Sequence, residues 1–343
     1  MLSREAEALY WIGRHVERAE AAARRFDVQY HSRLESESAQ SATLPWHALL
    51  FSSGDEASYR ERYGDESERS LLTFLILDDL NPNSIRSCVT AARENARGSR
   101  EQISSEMWEH LNRFHLELGE QTHESVLLRT PHELLHWVKC NCWLFDGIAE
   151  RTMIRGEGWQ FLQTGKFLER ADATARLLDG KTYAMVDGEP TLAPAVDLHQ
   201  WTALLRSAGA YEAFRKTHGT ITPVGIVAYI LLDARFPGSI RYSIERCEQA
   251  LRALCGRDRA EDGSEAERCA GRLLASLVHS RAPELVTHGL HDFLSRLLRE
   301  CDALHDAIVQ TFFSHLAWPS RDSEPAPPAL AAPGEWQTLV SAQ

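Results

Sequence analysis

Apolar residues recur along most of the chain at steps of three and four positions, and alternating strand-like runs are scarce. A period near 3.6 is typical of amphipathic helices that bury one face. Gly and Pro gather between the periodic segments, for example at residues 179–197, where they predict a loop. The pattern therefore predicts an all-α protein.

One helical pattern occurs twice. The stretch GRHVERAEAAARRFD (residues 13–27) reappears 152 residues later, without a gap, as GKFLERADATARLLD (165–179). Further matches follow in the same order, and FLILDDLNPNSIR (74–86) pairs with YILLDARFPGSIR (229–241). Because colinear matches of this length are typical of repeat architectures, we interpret the chain as an internal duplication.

The duplication predicts the domain organisation. We expect two multi-helix halves, residues 1–150 and 151–318, packed about a pseudo-two-fold axis. The segment 319–343 is rich in Pro and Ala, a composition that cannot build a packed core, and we expect it to be a disordered tail.

Each copy of the repeated helix carries an apolar seam and a polar stripe beside it. At 100° per residue, the seams contain Leu9, Ile12, Val16, Ala19, Ala23 and Phe26 in one copy and Phe161, Thr164, Leu168, Ala171, Ala175 and Leu178 in the other. The polar stripes contain Gly13, Glu17, Glu20, Arg24 and Asp27, matched by Gly165, Glu169, Asp172, Arg176 and Asp179. A Gly inside a helix costs about 1 kcal/mol relative to Ala, so its repetition predicts a close backbone approach there.

Three interpretations of the polar stripes stay open. They could be solvated faces. They could form ion pairs between the halves, Glu17 with Arg170 or Arg176 and Glu169 with Arg18 or Arg24, which would fix the register of the contact. Alternatively, Arg18, Arg24, Arg170 and Arg176 could hold an anionic or peptide ligand, because guanidinium groups suit carboxylates and phosphates.

Several long stretches carry a resemblance to a known family. They are LSREAEALYWIGRHVERAE (2–20), ENARGSREQISSEMWEHLN (94–112), RTMIRGEGWQFLQTGKFLERADATARLLD (151–179) and WTALLRSAGAYEAFRKTHG (201–219). Together they resemble the alpha-E family of bacterial all-helical proteins, named for a recurring Glu-Arg signature. Glu17-Arg18 and Glu169-Arg170 match that signature. The candidate binding residues combine these two signatures with stripe residues and with two arginines of the matching stretch 94–112. They are Glu17, Arg18, Arg24, Arg97, Arg100, Glu169, Arg170, Asp172 and Arg176.

The resemblance implies a partner rather than an activity of the chain's own. Such proteins are encoded beside, or fused to, a circularly permuted ATP-grasp protein, and a transglutaminase-like peptidase also occurs nearby. We therefore expect a non-catalytic helical partner or scaffold in a peptide-ligating or peptide-modifying system, with no cofactor.

A zinc-dependent peptidase is the alternative. His132-Glu133-x-x-His136 has the zincin spacing, which places two imidazoles on one helix face beside a general base. Glu157 is the candidate third ligand. Thr130-Pro131 would place His132 in the first helical turn, where ligand geometry is least fixed.

Composition limits the classes of partner and the cellular compartment that we expect. The chain of 343 residues has 37 Lys and Arg against 49 Asp and Glu, and this acidic balance argues against a nucleic-acid or membrane surface. Seven scattered Cys and the absence of a leader before MLSREAEALYW favour a reduced, cytoplasmic protein. Because Trp is enriched at interface hot spots, candidates for docking are Trp11, Trp108, Trp137, Trp143 and Trp159.

Overall fold

The structure is a computed structural model. It describes residues 1–35, 50, 55–63, 67–122, 124, 131–186, 194–256 and 263–314. Throughout these segments the regular structure is helical, without a strand, so the predicted all-α class is confirmed. The predicted tail at 319–343 lies outside the described residues.

Fourteen helices are assigned within the described segments. They are α1 Ser3–Glu35, α2 Glu56–Arg62, α3 Glu68–Leu72, α4 Ile85–Gly98, α5 Ser105–Gly119, α6 Pro131–Thr152, α7 Glu157–Val186, α8 Pro194–Ser207, α9 Tyr211–His218, α10 Pro223–Val227, α11 Ile240–Cys255, α12 Glu265–Val278, α13 Ala282–His288 and α14 Leu290–Ile308. Helices α3, α10 and α14 continue into π-helical turns at Thr73–Leu77, Ala228–Leu232 and Val309–Phe313.

Two long helices, α1 and α7, pack along each other at the centre of the fold. Helix α1 also contacts α4 and α6, while α7 contacts α11 and α14. Helix α5 packs on α4 and α6, and α12 packs on α11 and α14. Because both central helices are covered from several directions, polar side chains at their contact are removed from water.

Both predicted seams lie in the hydrophobic core. Ile12 and Ala19 of α1 are fully buried, as are Ala171 and Leu178 of α7. The remaining seam residues are also buried: Leu9, Val16, Ala23 and Phe26 in α1, and Phe161, Thr164, Leu168 and Ala175 in α7. The prediction of the seams from the helical period is therefore confirmed.

Similar loops lead into α4 and α11. Each follows a π turn and ends in a serine cap: Ser84 Oγ accepts from the Ser87 amide at 3.0 Å, and Ser239 Oγ accepts from the Tyr242 amide at 3.0 Å. Such caps satisfy amides that a helix leaves unpaired at its first turn. The caps fix the residue at which each loop ends and its helix begins.

The described residues from Met1 to Phe313 group into one compact unit. The boundary at residue 150 marks the sequence repeat and stays a prediction.

Candidate functional site

The two central helices touch backbone to backbone at Gly13 and Gly165. A Cβ added to Gly13 would lie 2.2 Å from the carbonyl oxygen of Leu162, and one added to Gly165 would lie 2.0 Å from that of Tyr10. No side chain fits into these gaps. The close approach predicted from the two helical glycines is therefore confirmed, and the glycine of each helix lies against the backbone of the other.

The two glutamates of the Glu-Arg signatures accept hydrogen bonds from arginines of the opposite helix. Arg170 donates from Nε and Nη2 to the two carboxylate oxygens of Glu17, each at 2.6 Å. In the other direction, Arg18 donates from Nε to Glu169 Oε1 at 2.6 Å and from Nη2 to Oε2 at 3.0 Å. Both contacts are bidentate, the geometry in which an arginine binds a carboxylate most strongly.

Glu169 has a second arginine that the sequence did not single out. Arg14 donates from Nε to Glu169 Oε2 at 2.6 Å and from Nη1 to the Tyr10 hydroxyl at 3.0 Å. That hydroxyl also lies 2.8 Å from His305 Nδ1. Arg14 precedes Arg18 by one helical turn, so its position on the same face could have been read from the helical period.

Each signature arginine also reaches a loop. Arg18 Nη1 donates to the Asn83 side chain at 2.9 Å, and Arg170 Nη1 donates to the Pro237 carbonyl at 3.4 Å. These residues lie in the capped loops before α4 and α11. Each guanidinium thus joins the opposite central helix to a loop.

The buried pairs are ionised at neutral pH. Glu17 and Glu169 are only 4% and 3% exposed. Burial alone would raise the pKa of the Glu169 carboxyl, but the charges of Arg18 and Arg14 hold it well below its usual range. Burial likewise opposes ionisation of Glu17, and Arg170 lowers its pKa despite this. In Glu20 burial prevails over the charge of Arg24 and raises the pKa.

This burial corrects one interpretation of the stripes. Glu17, Glu20 and Asp27 are buried, as are Glu169 and Asp179. The interpretation as solvated faces is therefore wrong, because neighbouring helices cover positions that the sequence alone would leave in water.

Four other stripe residues make ion pairs within their own helix. Arg24 Nη2 lies 3.2 Å from Glu20 Oε2, and Arg176 Nε donates to Asp172 at 2.9 Å. Of the alternatives for the pairing between helices, the structure forms Glu17 with Arg170 and Glu169 with Arg18.

The two remaining candidates lie at a distance from the stripe along the chain and have local contacts. Arg97 pairs with Glu94 at 2.7 Å. The Arg100 guanidinium lies 4.9 Å from the centre of the Trp108 ring, within cation–π range. A hollow beside the stripe, lined by Arg24, Arg170 and Thr174 among others, measures about 10 Å³, which is room for about one water molecule. The ligand-binding role of the whole candidate set stays a prediction.

Both stripes end in a buried aspartate whose side chain contacts a histidine of another helix. Asp27 Oδ1 lies 2.6 Å from His132 Nδ1 of α6, and its Oδ2 accepts from Lys139 Nζ at 2.6 Å. Asp179 Oδ1 lies 2.7 Å from His291 Nδ1 of α14. These pairs were not predicted, although the two aspartates occupy matched positions and the two histidines are 159 residues apart in the sequence.

The zincin arrangement does not assemble as predicted. Helix α6 begins at Pro131, so His132 does lie in the first turn, and its ring lies 5.9 Å from that of His136. However, Glu157 accepts from the Met1 amino group at 3.1 Å. It lines a separate hollow of about 530 Å³ with Ile103 and Trp159 among others. The carboxylate that meets His132 is Asp27.

Fold and site together define an all-helical protein held by reciprocal Glu-Arg pairs. The chain belongs to the Alpha-E family, described as a predicted alpha-helical domain with a conserved ER motif, which matches residues 1–313. The expected family is thereby confirmed.

Similar proteins come from mycobacteria. The chain is 27% identical over 317 residues to the uncharacterized protein Mb2597 of Mycobacterium bovis, covering 84% of this chain and 34% of that protein. It is 26% identical over 317 residues to the uncharacterized protein Rv2567 of Mycobacterium tuberculosis, with the same coverage. The match thus spans about a third of the length of these relatives. No solved structure matches significantly.

Among the described residues, every helix is too short or too polar to cross a membrane.

Proposed function

We propose that this chain is a non-catalytic helical partner of a peptide-ligating enzyme of the circularly permuted ATP-grasp class. Membership of the Alpha-E family supports this, because the family resemblance implies such a neighbour. A transglutaminase-like peptidase is a second proposed member of the same system, and the cytoplasm is the proposed compartment.

The observation that carries the proposal is the reciprocal pairing of Glu17 with Arg170 and of Glu169 with Arg18. The residues that define the family are used to join two helices. A general acid or nucleophile must reach a substrate, whereas these carboxylates are buried and ionised against arginines. Such pairs hold the register of a contact more than they add stability, which suits a rigid binding partner.

We further propose that the chain arose by duplication and that its halves pack about a pseudo-two-fold axis. The reciprocal contacts support this, since an isologous contact places residue i against j and j against i. Gly13 and Gly165 each meet the backbone of the other helix. Each central helix also ends its stripe with an aspartate–histidine pair, Asp27–His132 and Asp179–His291.

The proposed docking surface consists of Trp143 and Leu144 on α6. Their exposed fractions are 51% and 53%, high for large apolar side chains. The Trp143 indole donates to buried Glu20 at 3.2 Å, which anchors the ring. Because anchored aromatic residues lose little conformational freedom on binding and are enriched at hot spots, this pair suits a protein partner.

The test is coexpression of the chain with the ATP-grasp protein encoded in the same genome, followed by light scattering of the eluted species. We expect a stoichiometric complex and, with it, faster peptide ligation than by the ATP-grasp protein alone. Ligation or hydrolysis by the isolated chain would contradict a non-catalytic role, and separate elution of the two proteins would contradict the partnership.

A matched pair of variants tests the docking surface. Trp143→Ala should weaken the complex by at least about 30-fold, the loss expected for a hot-spot residue. Leu116→Ala is the control, since Leu116 is also an exposed large apolar residue (56%) but lies on α5. Equal affinity of both variants for the ATP-grasp protein would exclude Trp143 from the docking surface. The coexpression experiment would still decide whether the two proteins form a complex.

A further inference from the structure

One side-chain cluster at the end of the polar stripe has the composition of a metal site. Asp27, His31 and His132 each offer a potential ligand atom, and these atoms lie within 4.8 Å of one another. Asp27 and His31 stand one turn apart on α1, whereas His132 comes from the first turn of α6. Two imidazoles and a carboxylate form a common ligand set for zinc.

We propose that this cluster binds a divalent transition-metal ion such as Zn²⁺, with Asp27, His31 and His132 as ligands and a fourth position open to solvent. This goes beyond the proposed partner function and does not depend on it. It also differs from the zincin pattern in the sequence, because His31 takes the place that the motif assigns to His136.

The distances suit such an ion after a small adjustment. Zinc–nitrogen and zinc–oxygen bonds of about 2.0–2.1 Å place tetrahedral ligand atoms about 3.3 Å apart. His31 Nδ1 lies 3.4 Å from Asp27 Oδ1 and 2.8 Å from the Asp27 backbone carbonyl, a hydrogen bond that the ion must replace. His132 Nδ1 lies 2.6 Å from the same oxygen, so it must move outward by under about 1 Å when the ion replaces the intervening proton.

The carboxylate is prepared for binding through one oxygen. Lys139 Nζ donates to Asp27 Oδ2 at 2.6 Å, which leaves Oδ1 facing the two histidines. A hydrogen bond to the second oxygen is the usual support of a ligating carboxylate.

The site is open to ions from solvent. The side chains of His31 and His132 are each 44% exposed, while Asp27 is 9% exposed. The two rings lie edge to face with their centres 4.7 Å apart. An ion can therefore enter from the histidine side and meet a buried carboxylate behind it.

The matched position in the other half provides an internal control. Asp179 pairs with His291 there, but the residue that aligns with His31 is Tyr183. A tyrosine is not among the usual zinc ligands. The aspartate–histidine pair recurs in the fold, and the additional imidazole of His31 is what distinguishes the first half.

The experiment measures Zn²⁺ binding to the full chain after chelator treatment, by competition with a chromophoric chelator and by metal analysis. We expect one Zn²⁺ per chain. His31→Ala and His132→Ala should each weaken binding by at least about 10- to 100-fold, the range that loss of even a supporting partner produces. His136→Ala and His291→Ala should change it by less than about threefold, as neither side chain is a proposed ligand.

Circular dichroism serves as the check that each variant is folded. If His132→Ala unfolds, His31→Ala alone decides the question. Absence of stoichiometric Zn²⁺ would overturn the proposal. So would loss of binding in His136→Ala with His31→Ala unaffected, which would restore the zincin set. Binding lost only in Cys140→Ser would assign the ion to the exposed thiol and would overturn it as well. Co²⁺ loading should correspondingly show no thiolate charge-transfer band.

Discussion

Glu17 and Glu169 hold equivalent positions in the two repeated helices, and each binds the arginine that directly follows the other. The bonds are 2.6 Å from Arg170 Nε to Glu17 and 2.6 Å from Arg18 Nε to Glu169. The Glu-Arg dipeptide is therefore one half of a two-way connection between α1 and α7. A Glu-Arg signature could mark a catalytic site, but in this structure its residues connect the two central helices.

Removing one carboxylate should destabilise the protein strongly. Glu169→Gln leaves Arg14 and Arg18 without their shared counter-charge, and an uncompensated buried charge costs about 3–5 kcal/mol. Urea unfolding should show this loss in the free energy of unfolding. Glu157→Gln is the control, because that side chain is 63% exposed and should cost under about 1 kcal/mol. A loss for Glu169→Gln no larger than for the control would contradict a structural role of the pairs.

The two helical glycines should not tolerate even one methyl group. In Gly13→Ala the added Cβ would meet the Leu162 carbonyl at 2.2 Å, so the helices must separate, with an expected loss of at least about 2 kcal/mol. Thermal unfolding measures the change. Gly147→Ala in α6 is the matched control, since nothing lies within 4 Å of its new Cβ; there Ala should be neutral or stabilise by up to about 1 kcal/mol. Equal melting temperatures for both variants would show that the close approach is absent in solution.

Stability should fall as the pH drops from 7 to 5, with His15 as a main contributor. Burial lowers the pKa of His15 to about 4, and the charge of Arg18 acts in the same direction. A histidine with a depressed folded-state pKa contributes its full stability above the unfolded value of about 6.5, and this contribution is lost as the pH falls toward 4.

The expected loss from His15 between pH 7 and 5 is about 1–2 kcal/mol, measured as the difference in free energy of unfolding. His15→Gln should reduce the pH dependence, whereas His199→Gln at an exposed position should not. An unchanged slope in His15→Gln would show that this imidazole protonates as readily in the folded state as in the unfolded one. The carboxylates of Glu17 and Glu169, with depressed pKa values, should add a further loss below about pH 4.5.

The native protein should present one rapidly reacting thiol. Cys140 is exposed, Cys255 and Cys269 are partly buried and should react more slowly, and the other four are buried: Cys88, Cys142, Cys247 and Cys301. Burial raises the pKa of Cys88 and of Cys247 to about 12, so little thiolate is present at neutral pH. A disulfide reagent should give a fast phase of about one thiol that Cys140→Ser removes, while denaturant releases all seven. A fast phase that survives Cys140→Ser would contradict this arrangement of the helices.

Much of the central contact could be predicted because its signals are local. The helical period identified the buried seam from Leu9 to Phe26, and the two glycines identified the point of closest approach. Opposite charges at matched positions predicted pairs between α1 and α7. The choice among the pairs could not be made, because Arg170 and Arg176 of the same helix both remained candidates for Glu17. Only the angle and offset at which the helices cross select one of them.

The cluster of Asp27, His31 and His132 could not be predicted from a local sequence pattern. Asp27 and His132 are 105 residues apart, and HELLH by itself favoured His136 and Glu157 as partners. The motif spacing fixes which side chains share a helix face, but it contains no information on which helix packs against that face. That packing places Asp27 and His31 of α1 beside His132, whereas Glu157 contacts the amino group of Met1.

The sequence by itself determined the all-helical class, the apolar seam and the close approach of α1 and α7. These follow from the 3.6-residue period and from side-chain size, which act within one helix. Only the tertiary structure decided that the polar stripe is buried, that Arg14 joins Glu169, and that Asp27 meets two histidines. Burial and pairing between helices depend on how distant elements pack, because a side chain's surroundings are set by neighbours that the local sequence does not name.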